Sequence, residues 1–98
     1  MITVSILYPQ SDGTTFDMDY YTSSHMPMLA EALGEACQGW GVADVMGNDY
    51  HAIAWATVTS ADAFNATMKE HGAKIIGDVP NYTNVAPVML MGEVVANG

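Results

Sequence analysis

Three histidines, two lysines and no arginine make up all the cationic or proton-moving nitrogen chemistry available to this chain. One of those histidines sits in an unexpected place. The stretch "FDMDYYTSSHMPML", residues 16–29, has helical spacing, yet it carries His25 where an apolar residue belongs and Pro27 where a helix should stop. On an unbroken helix Tyr21, His25, Met28, Leu29 and Ala32 share one stripe, so Tyr21 and His25 stack as neighbours facing the sheet or its rim. An imidazole can take and return a proton near neutral pH. His25 is therefore the candidate catalytic acid or base, with Tyr21 as its hydrogen-bonding partner. Tyr20, His51, Trp55 and Tyr82 can line a pocket around it with aromatic faces and a few polar tips. Asp78 joins this substrate-binding set by its loop position. The plainer reading of His25 is structural: a helix carbonyl freed by Pro27 accepts from the ring and fixes its tautomer. For His51 the plainer reading is a strand-end residue half in water, and for His71 a favourable charge at a helix C-terminus.

Other chemistries find little support. Asp17 and Asp19 diverge on a helix, and neither His-x3-His nor His-Glu-x-x-His occurs, so no metal site is expected. No Ser-His-Asp arrangement, phosphate loop or dinucleotide fingerprint is present, so no cofactor is expected either. Cys37 stands alone in "EACQGWG" with no cation to activate it and reads as a structural buried thiol. A single cysteine fits a reducing cytoplasm. The opening "MITVSILYP" lacks a basic segment and is too short to span a bilayer. The formal charge of −9 argues against nucleic acid and anionic membrane surfaces. The absence of arginine disfavours phosphorylated ligands. A small, neutral organic ligand is the class that remains.

The elements that must position these residues follow from pattern. Ile2–Tyr8 alternates as a strand and ends at Pro9. Asp17 caps a helix running to about Leu33, with Phe16 and Tyr21 placed for a hydrophobic staple and Gly34 as its stop. Pro27 predicts a kink or a break and restart near Ser24–Met26, with Met26 pushed out of helical angles. "CQGWGVADVMG" and "DYHAIAWATVTS" read as two strands joined around Gly47-Asn48-Asp49. Ser60 caps a second helix ending near Gly72; "AKIIGDVPNYTN" is irregular with room for one short helical turn, and "VAPVMLMGEVV" is a last strand. The order β-α-β-β-α-β over residues 1–98 predicts one α+β, ferredoxin-like domain: a four-stranded antiparallel sheet with both helices on one face.

That arrangement leaves a problem of coverage. On the third strand Ala52, Ala54, Ala56 and Val58 suit close helix packing, but the other side carries Ile53 and Trp55 rather than a polar solvated row. The last strand is apolar on both sides. Half of the residues are hydrophobic, which is hard to hide in a lone 98-residue subunit. A homodimer whose second sheet covers the first is the expected solution, with the chamber it encloses reached by His25.

"LYP", the loop with Gly13, "FDMDYYTSSHMPM" and "GDVPNYTNVAPVML" resemble the EthD-like proteins of the dimeric α+β barrel superfamily, over nearly the whole chain. The DYY-x3-H-x-P phrase (Asp19, Tyr20, Tyr21, His25, Pro27) and the PNYT segment (Pro80 to Thr83) carry the resemblance. It implies a ferredoxin-like protomer that pairs its sheet across a dimer, and an association with oxidative degradation such as bacterial ether breakdown. It also implies His25 as the proton-moving position, with Tyr21 as partner. The expected function is a small cofactor-independent enzyme, an oxidoreductase or lyase, acting on a neutral cyclic, aromatic or oxygenated molecule in a barrel pocket. Dehydration, isomerisation, cleavage and oxygenation all suit one imidazole. The alternative is a non-catalytic ligand-binding accessory protein of such a pathway, and the blandest reading has Tyr21 and His25 satisfying each other at a dimer seam.

Overall fold

In the computed structural model, which describes residues 1–98, strand β1 (Ile2–Pro9) decides which residues face which way. Ile2, Val4, Ile6 and Tyr8 are buried, while the residues between them are only half-buried. β1 pairs antiparallel with β3 (Tyr50–Val58) on one side and β4 (Val88–Glu93) on the other, and β2 (Cys37–Asp44) extends the sheet beyond β3. The strand order is β2-β3-β1-β4. In register with the buried residues of β1, Ala52, Ala54, Ala56 and Val58 are buried too. Their small side chains let the helices approach closely, as the sequence pattern predicts. The result is the expected ferredoxin-like α+β fold with both helices packed on this face.

The first helix, α1, differs from expectation at its middle. It is α-helical over Met18–Tyr20, π-helical over Tyr21–His25 and α-helical again over Met26–Leu33, with no break. Asp17 caps it by accepting from the Tyr20 amide at 3.1 Å. Met26 keeps helical angles of −65° and −40°, and its amide bonds to the Tyr21 carbonyl five residues back. The wider turn relieves the clash that a proline ring meets one turn upstream, so Pro27 is absorbed and the helix neither breaks nor restarts. At Gly34 a φ of 58° ends the helix in a conformation that favours glycine.

The second helix, α2, runs over Ala61–Gly77, past the expected stop at Gly72. Gly72 is buried one turn from Met68, and Ile75 continues the apolar stripe begun by Phe64, so packing overrides the glycine's weak helix preference. A 3-10 turn at Val79–Asn81 follows and leads into β4, whose start waits until after Pro87. Cys37 is half-buried at the start of β2.

The far face of the sheet has no cover within the chain. Ser5 and Leu7 of β1 lie in register with Trp55 and Ile53 of β3 and with Leu90 and Val88 of β4. Trp55 remains 40% exposed and Leu90 59% exposed. On β2, Gly41 sits in register beneath Trp55, and a methyl group there would overlap the indole, lying 2.6 Å from Cε2. The absent side chain at Gly41 is what lets Trp55 lie flat on the sheet. Gly41→Ala should lift the ring, lower stability by about 1–3 kcal/mol as overpacking does, and change tryptophan emission. Denaturant unfolding followed by fluorescence reads both effects, and unaltered emission would show that the indole does not lie there.

Candidate functional site

Between the helices and the sheet, the apolar core is interrupted by one connected set of polar side chains. His25 is only 4% exposed. Its Nδ1 lies 2.9 Å from Asp78 Oδ2, and its Nε2 lies 3.3 Å from the Tyr82 hydroxyl. The Tyr82 hydroxyl lies 2.6 Å from that of Tyr8. A carboxylate only accepts, so Nδ1–H of His25 donates to Asp78, and in the neutral ring Nε2 accepts from Tyr82. Tyr82 then accepts from Tyr8. Asp78, His25, Tyr82 and Tyr8 form a single directed chain.

Each member is held from a different element. The π turn brings Tyr21 and His25 onto one side of α1, where their rings stack at 5.4 Å with 15° between planes. Asp78 follows directly after α2, and its other oxygen accepts from the Tyr20 hydroxyl at 2.7 Å and from Asn81 Nδ2 at 2.9 Å. Tyr82 ends the 3-10 turn and accepts the Asp17 amide on its carbonyl at 2.7 Å, which ties this turn to the start of α1. Tyr8 is the last inward-facing residue of β1 before a register shift at Pro9.

Electrostatics follow from these contacts. Burial acts to raise the Asp78 carboxyl, but the hydrogen bonds from Asn81, His25 and Tyr20 outweigh it and hold the group below its ordinary value. The bond to Asp78 raises the Tyr20 phenol, because losing its proton would set two anions together. Burial pushes the phenols of Tyr8, Tyr21 and Tyr82 up, so all three keep their protons through the neutral range.

Of the residues expected to form the site, the structure brings Tyr20, Tyr21, His25, Asp78 and Tyr82 together. Asp78 touches the imidazole rather than standing off as a pocket wall, and it takes the place assigned to a carbonyl freed by Pro27. Tyr21 stacks on His25 without a hydrogen bond to it, and its buried hydroxyl has no partner. His51 does not reach His25. The register shift opposite Pro9 leaves it unpaired with β1, and it stacks on Phe16 at 5.7 Å while Nε2 bonds Thr14 Oγ1 at 2.9 Å. Trp55 lies on the opposite face of the sheet from His25, so the two do not line one pocket within the chain. Tyr8 is the residue that sequence reasoning missed. Its signal was a large polar-tipped residue closing an otherwise aliphatic inward row.

Beside this chain lies a small, largely apolar cavity of about 60 Å³ lined by Tyr8 and His25 with Leu29, Phe64, Met68 and Val79 among its walls. Ile76 and Met89 line it too and are 64% and 46% exposed, which puts its mouth between α2 and β4. A second, wider groove of about 580 Å³ runs over Thr15–Asp19 and Pro80–Asn84 on the outer side of Tyr82. No group of three or more His, Cys, Asp or Glu side chains is placed to hold a metal ion. No helix is long and apolar enough to cross a membrane.

No protein-family model matches the sequence, and no curated protein does. Solved structures do match. An EthD-like protein from Ralstonia eutropha JMP134 is 38% identical, with 99% of this chain and 94% of that one covered and a TM-score of 0.91. An ethyl tert-butyl ether D (EthD) family protein from Bacillus halodurans C-125 is 15% identical, with 97% and 99% covered and a TM-score of 0.64. SnoaB, a cofactor-independent oxygenase from Streptomyces nogalater, is 11% identical, with 98% and 94% covered and a TM-score of 0.70. The latter two likenesses reflect the fold alone.

The low-lying Asp78 carboxyl has a consequence for acid stability. Folding favours its ionised form, so its contribution is complete above the ordinary carboxylate range, about pH 4, and is lost as pH falls through the lower folded value. Asp78→Asn should lower thermal stability at pH 6 and flatten its fall below pH 4. Melting curves across pH 2–7 check this, and parallel acid limbs for the two proteins would refute the pairing.

Proposed function

The chain belongs to the EthD-like family of the dimeric α+β barrel superfamily, and on that premise we propose that it is a homodimeric, cofactor-independent enzyme that moves protons on a neutral small molecule. The observation that carries the reading is His25 held between Asp78 and Tyr82 at the wall of an apolar cavity. Apart from His25, the walls named above offer a substrate no ionisable group but a phenol. A neutral, oxygenated cyclic or aromatic compound matches that lining in polarity, and at about 60 Å³ the cavity must widen at its mouth, past Ile76 and Met89, to admit a ring.

His25 supplies the charge-accepting group. Nε2 is engaged by Tyr82, so a proton taken from a carbon next to a carbonyl reaches it through that hydroxyl, giving an enolate and an imidazolium, and Asp78 stabilises the imidazolium and keeps the ring in register. Returning the proton to another carbon completes an isomerisation. Returning it to a departing hydroxyl completes a dehydration, with water as the second product. In both cases the proton count closes without a metal or redox partner. An enolate is also an electron-rich carbon centre able to react with molecular oxygen, and SnoaB, of the same fold, is a cofactor-independent oxygenase. Tyr21 contributes by stacking, which holds the imidazole plane. Tyr20 acts through Asp78. His51 and Trp55, remote from the cavity, serve the loop and the dimer face.

A second reading, a ligand-binding accessory protein of an oxidative degradation pathway, is favoured by one feature: both imidazole nitrogens are engaged within the protein. The two readings part on turnover. Once a neutral oxygenated aromatic that the protein binds has been identified, loss of product and oxygen uptake are followed together. His25→Ala should reduce turnover by about 10²–10⁴-fold, the range for general acid–base catalysis, measured below the melting temperature of the variant, which falls because Asp78 and Tyr82 lose their buried partner. Full activity in the variant would overturn the role given to His25, and binding without product in the wild type would overturn the enzyme reading in favour of the accessory one.

The homodimer is read from the open sheet face. Leu7, Ile53, Trp55, Val88 and Leu90 form an apolar surface that a second copy can cover across a two-fold axis. Residues 1–98 act here as one domain, and the lone half-buried Cys37 fits a reducing cytoplasm. Sedimentation of the wild type should give twice the 10.5 kDa chain mass, and Leu90→Asp should shift it to a single chain. A wild-type monomer at micromolar concentration would contradict the dimer.

A further inference from the structure

The hydrogen-bond chain has a direction, and that direction determines what the cavity can bind. Nδ1 of His25 is committed to Asp78, and Nε2 faces Tyr82. Neither nitrogen is left free. Tyr8 is the member that both lines the cavity and ends the chain, joined to Tyr82 at 2.6 Å. In the neutral state Tyr82 donates to His25, so Tyr8 must donate to Tyr82. The single Tyr8 proton is thereby used, and its oxygen can offer the cavity only lone pairs. Adding a proton at Nε2 reverses every link. His25 then donates to Tyr82, Tyr82 donates to Tyr8, and the Tyr8 O–H turns to the neighbours that remain, the Tyr21 hydroxyl and a ligand in the cavity.

We propose that Tyr8 is the residue that touches the substrate oxygen, and that the protonation state of His25, relayed through Tyr82, sets whether Tyr8 accepts from a hydroxyl or donates to a carbonyl. This rests on the cavity and the proton-moving His25 proposed above, and it names the substrate class: an apolar molecule interconverting between a hydroxyl form and a carbonyl form, as an enol or phenol does with its ketone. The proton count balances. A substrate O–H gives its proton to the Tyr8 oxygen, Tyr8 passes its own to Tyr82, and Tyr82 passes its own to Nε2. The products are a substrate oxyanion and an imidazolium paired with Asp78. Run backwards, the same relay protonates a substrate oxygen. Burial holds both phenols in their protonated form, so the relay moves a proton without storing an anion on either tyrosine.

The surroundings of His25 leave it in control of the switch. From the segment after α2 it faces Asp78 and Tyr82, with Tyr20 and Asn81 engaged on Asp78. From α1 it faces Tyr21, and the chain continues to Tyr8 of β1. The α2 residues along this cavity, Phe64, Met68, Ile75 and Ile76, carry no charge.

The test uses two neutral probes of one size, phenol as hydroxyl donor and cyclohexanone as acceptor, each of which requires the cavity of about 60 Å³ to widen at Ile76 and Met89, bound to the full chain between pH 5 and 8. Wild-type affinity for phenol should fall about fivefold toward pH 5 while that for cyclohexanone rises by about the same factor, the scale of one hydrogen bond. Tyr82→Phe should make both affinities independent of pH, and Tyr8→Phe should do the same while weakening both probes. Failure of either probe to bind at any pH would remove the cavity reading itself. Binding of both with parallel or flat pH dependence in the wild type would overturn the relay alone. So would opposite slopes that persist in Tyr82→Phe. The wild-type slopes decide the matter even where a variant fails to fold.

Discussion

The contact between Asp78 and His25 is the constraint on which the rest of this protein's interior depends. An imidazole that is 4% exposed is costly to bury unless its nitrogens are satisfied. Satisfying them requires three separate parts of the chain to meet: the π turn of α1, the exit of α2, and the 3-10 turn before β4. Asp78 in turn takes up Tyr20 and Asn81 on its other oxygen. One carboxylate thus ties the end of α2 to two residues of α1. Partly satisfied buried networks are costly and fully satisfied ones specify a unique packing. Here only the Tyr21 hydroxyl is left without a partner, and it lies toward that of Tyr8, while its ring stacks on the imidazole that the network orients.

The π turn explains how one helix can carry both a proline and this network. A regular helix places its backbone amides and carbonyls in fixed pairs, and Pro27 cannot take part in one. Widening a single turn lets the helix pass the proline, and it alters the angle at which Tyr21 and His25 leave the axis. π turns are rare and tend to occur at functional sites. Here the irregularity and the buried titratable group fall on the same five residues, Tyr21–His25. The same sequence feature that disturbs the helix therefore serves to aim the imidazole.

Much of the fold was legible because its signals are local. The alternation in Ile2–Tyr8, the Asp17 and Ser60 caps, and the alanine row of β3 each depend on neighbours a few residues away. The family resemblance in DYY-x3-H-x-P drew on the same stretch. What was not legible depended on distance in sequence or on competition between effects. A proline signals disruption, but whether the helix breaks or widens is decided by the tertiary bonds that hold Tyr21 and His25 in place. Gly72 signals an end, yet Ile75 had more to gain by continuing the apolar stripe. The partner of His25 lies 53 residues away, and nothing in the spacing of Asp78 distinguishes it from a surface acid. Tyr8 resembled a strand end, and its role follows only from Tyr82, 74 residues on. Trp55 was assigned by strand parity to the larger-residue face, which is correct, but His25 lies on the other side of the sheet.

That last separation changes how the oligomer and the site relate. If the imidazole faced the open sheet surface, pairing two subunits would create the pocket and activity would require the dimer by construction. Instead the cavity is closed by α1, α2 and the inward row of β1 and β4, all from one chain. The open face lies across the thickness of the sheet. The two are still mechanically linked, because β1 supplies both: Tyr8 points to the cavity, and Leu7 beside it points to the uncovered side. A second copy covering that side, as proposed, would clamp the strand and with it the end of the hydrogen-bond chain at Tyr8. The mouth at Met89 sits on β4, whose alternate residues Val88 and Leu90 belong to the open face. In the proposed dimer, subunit pairing would therefore act on this site through the rigidity of two strands rather than by donating a wall to it.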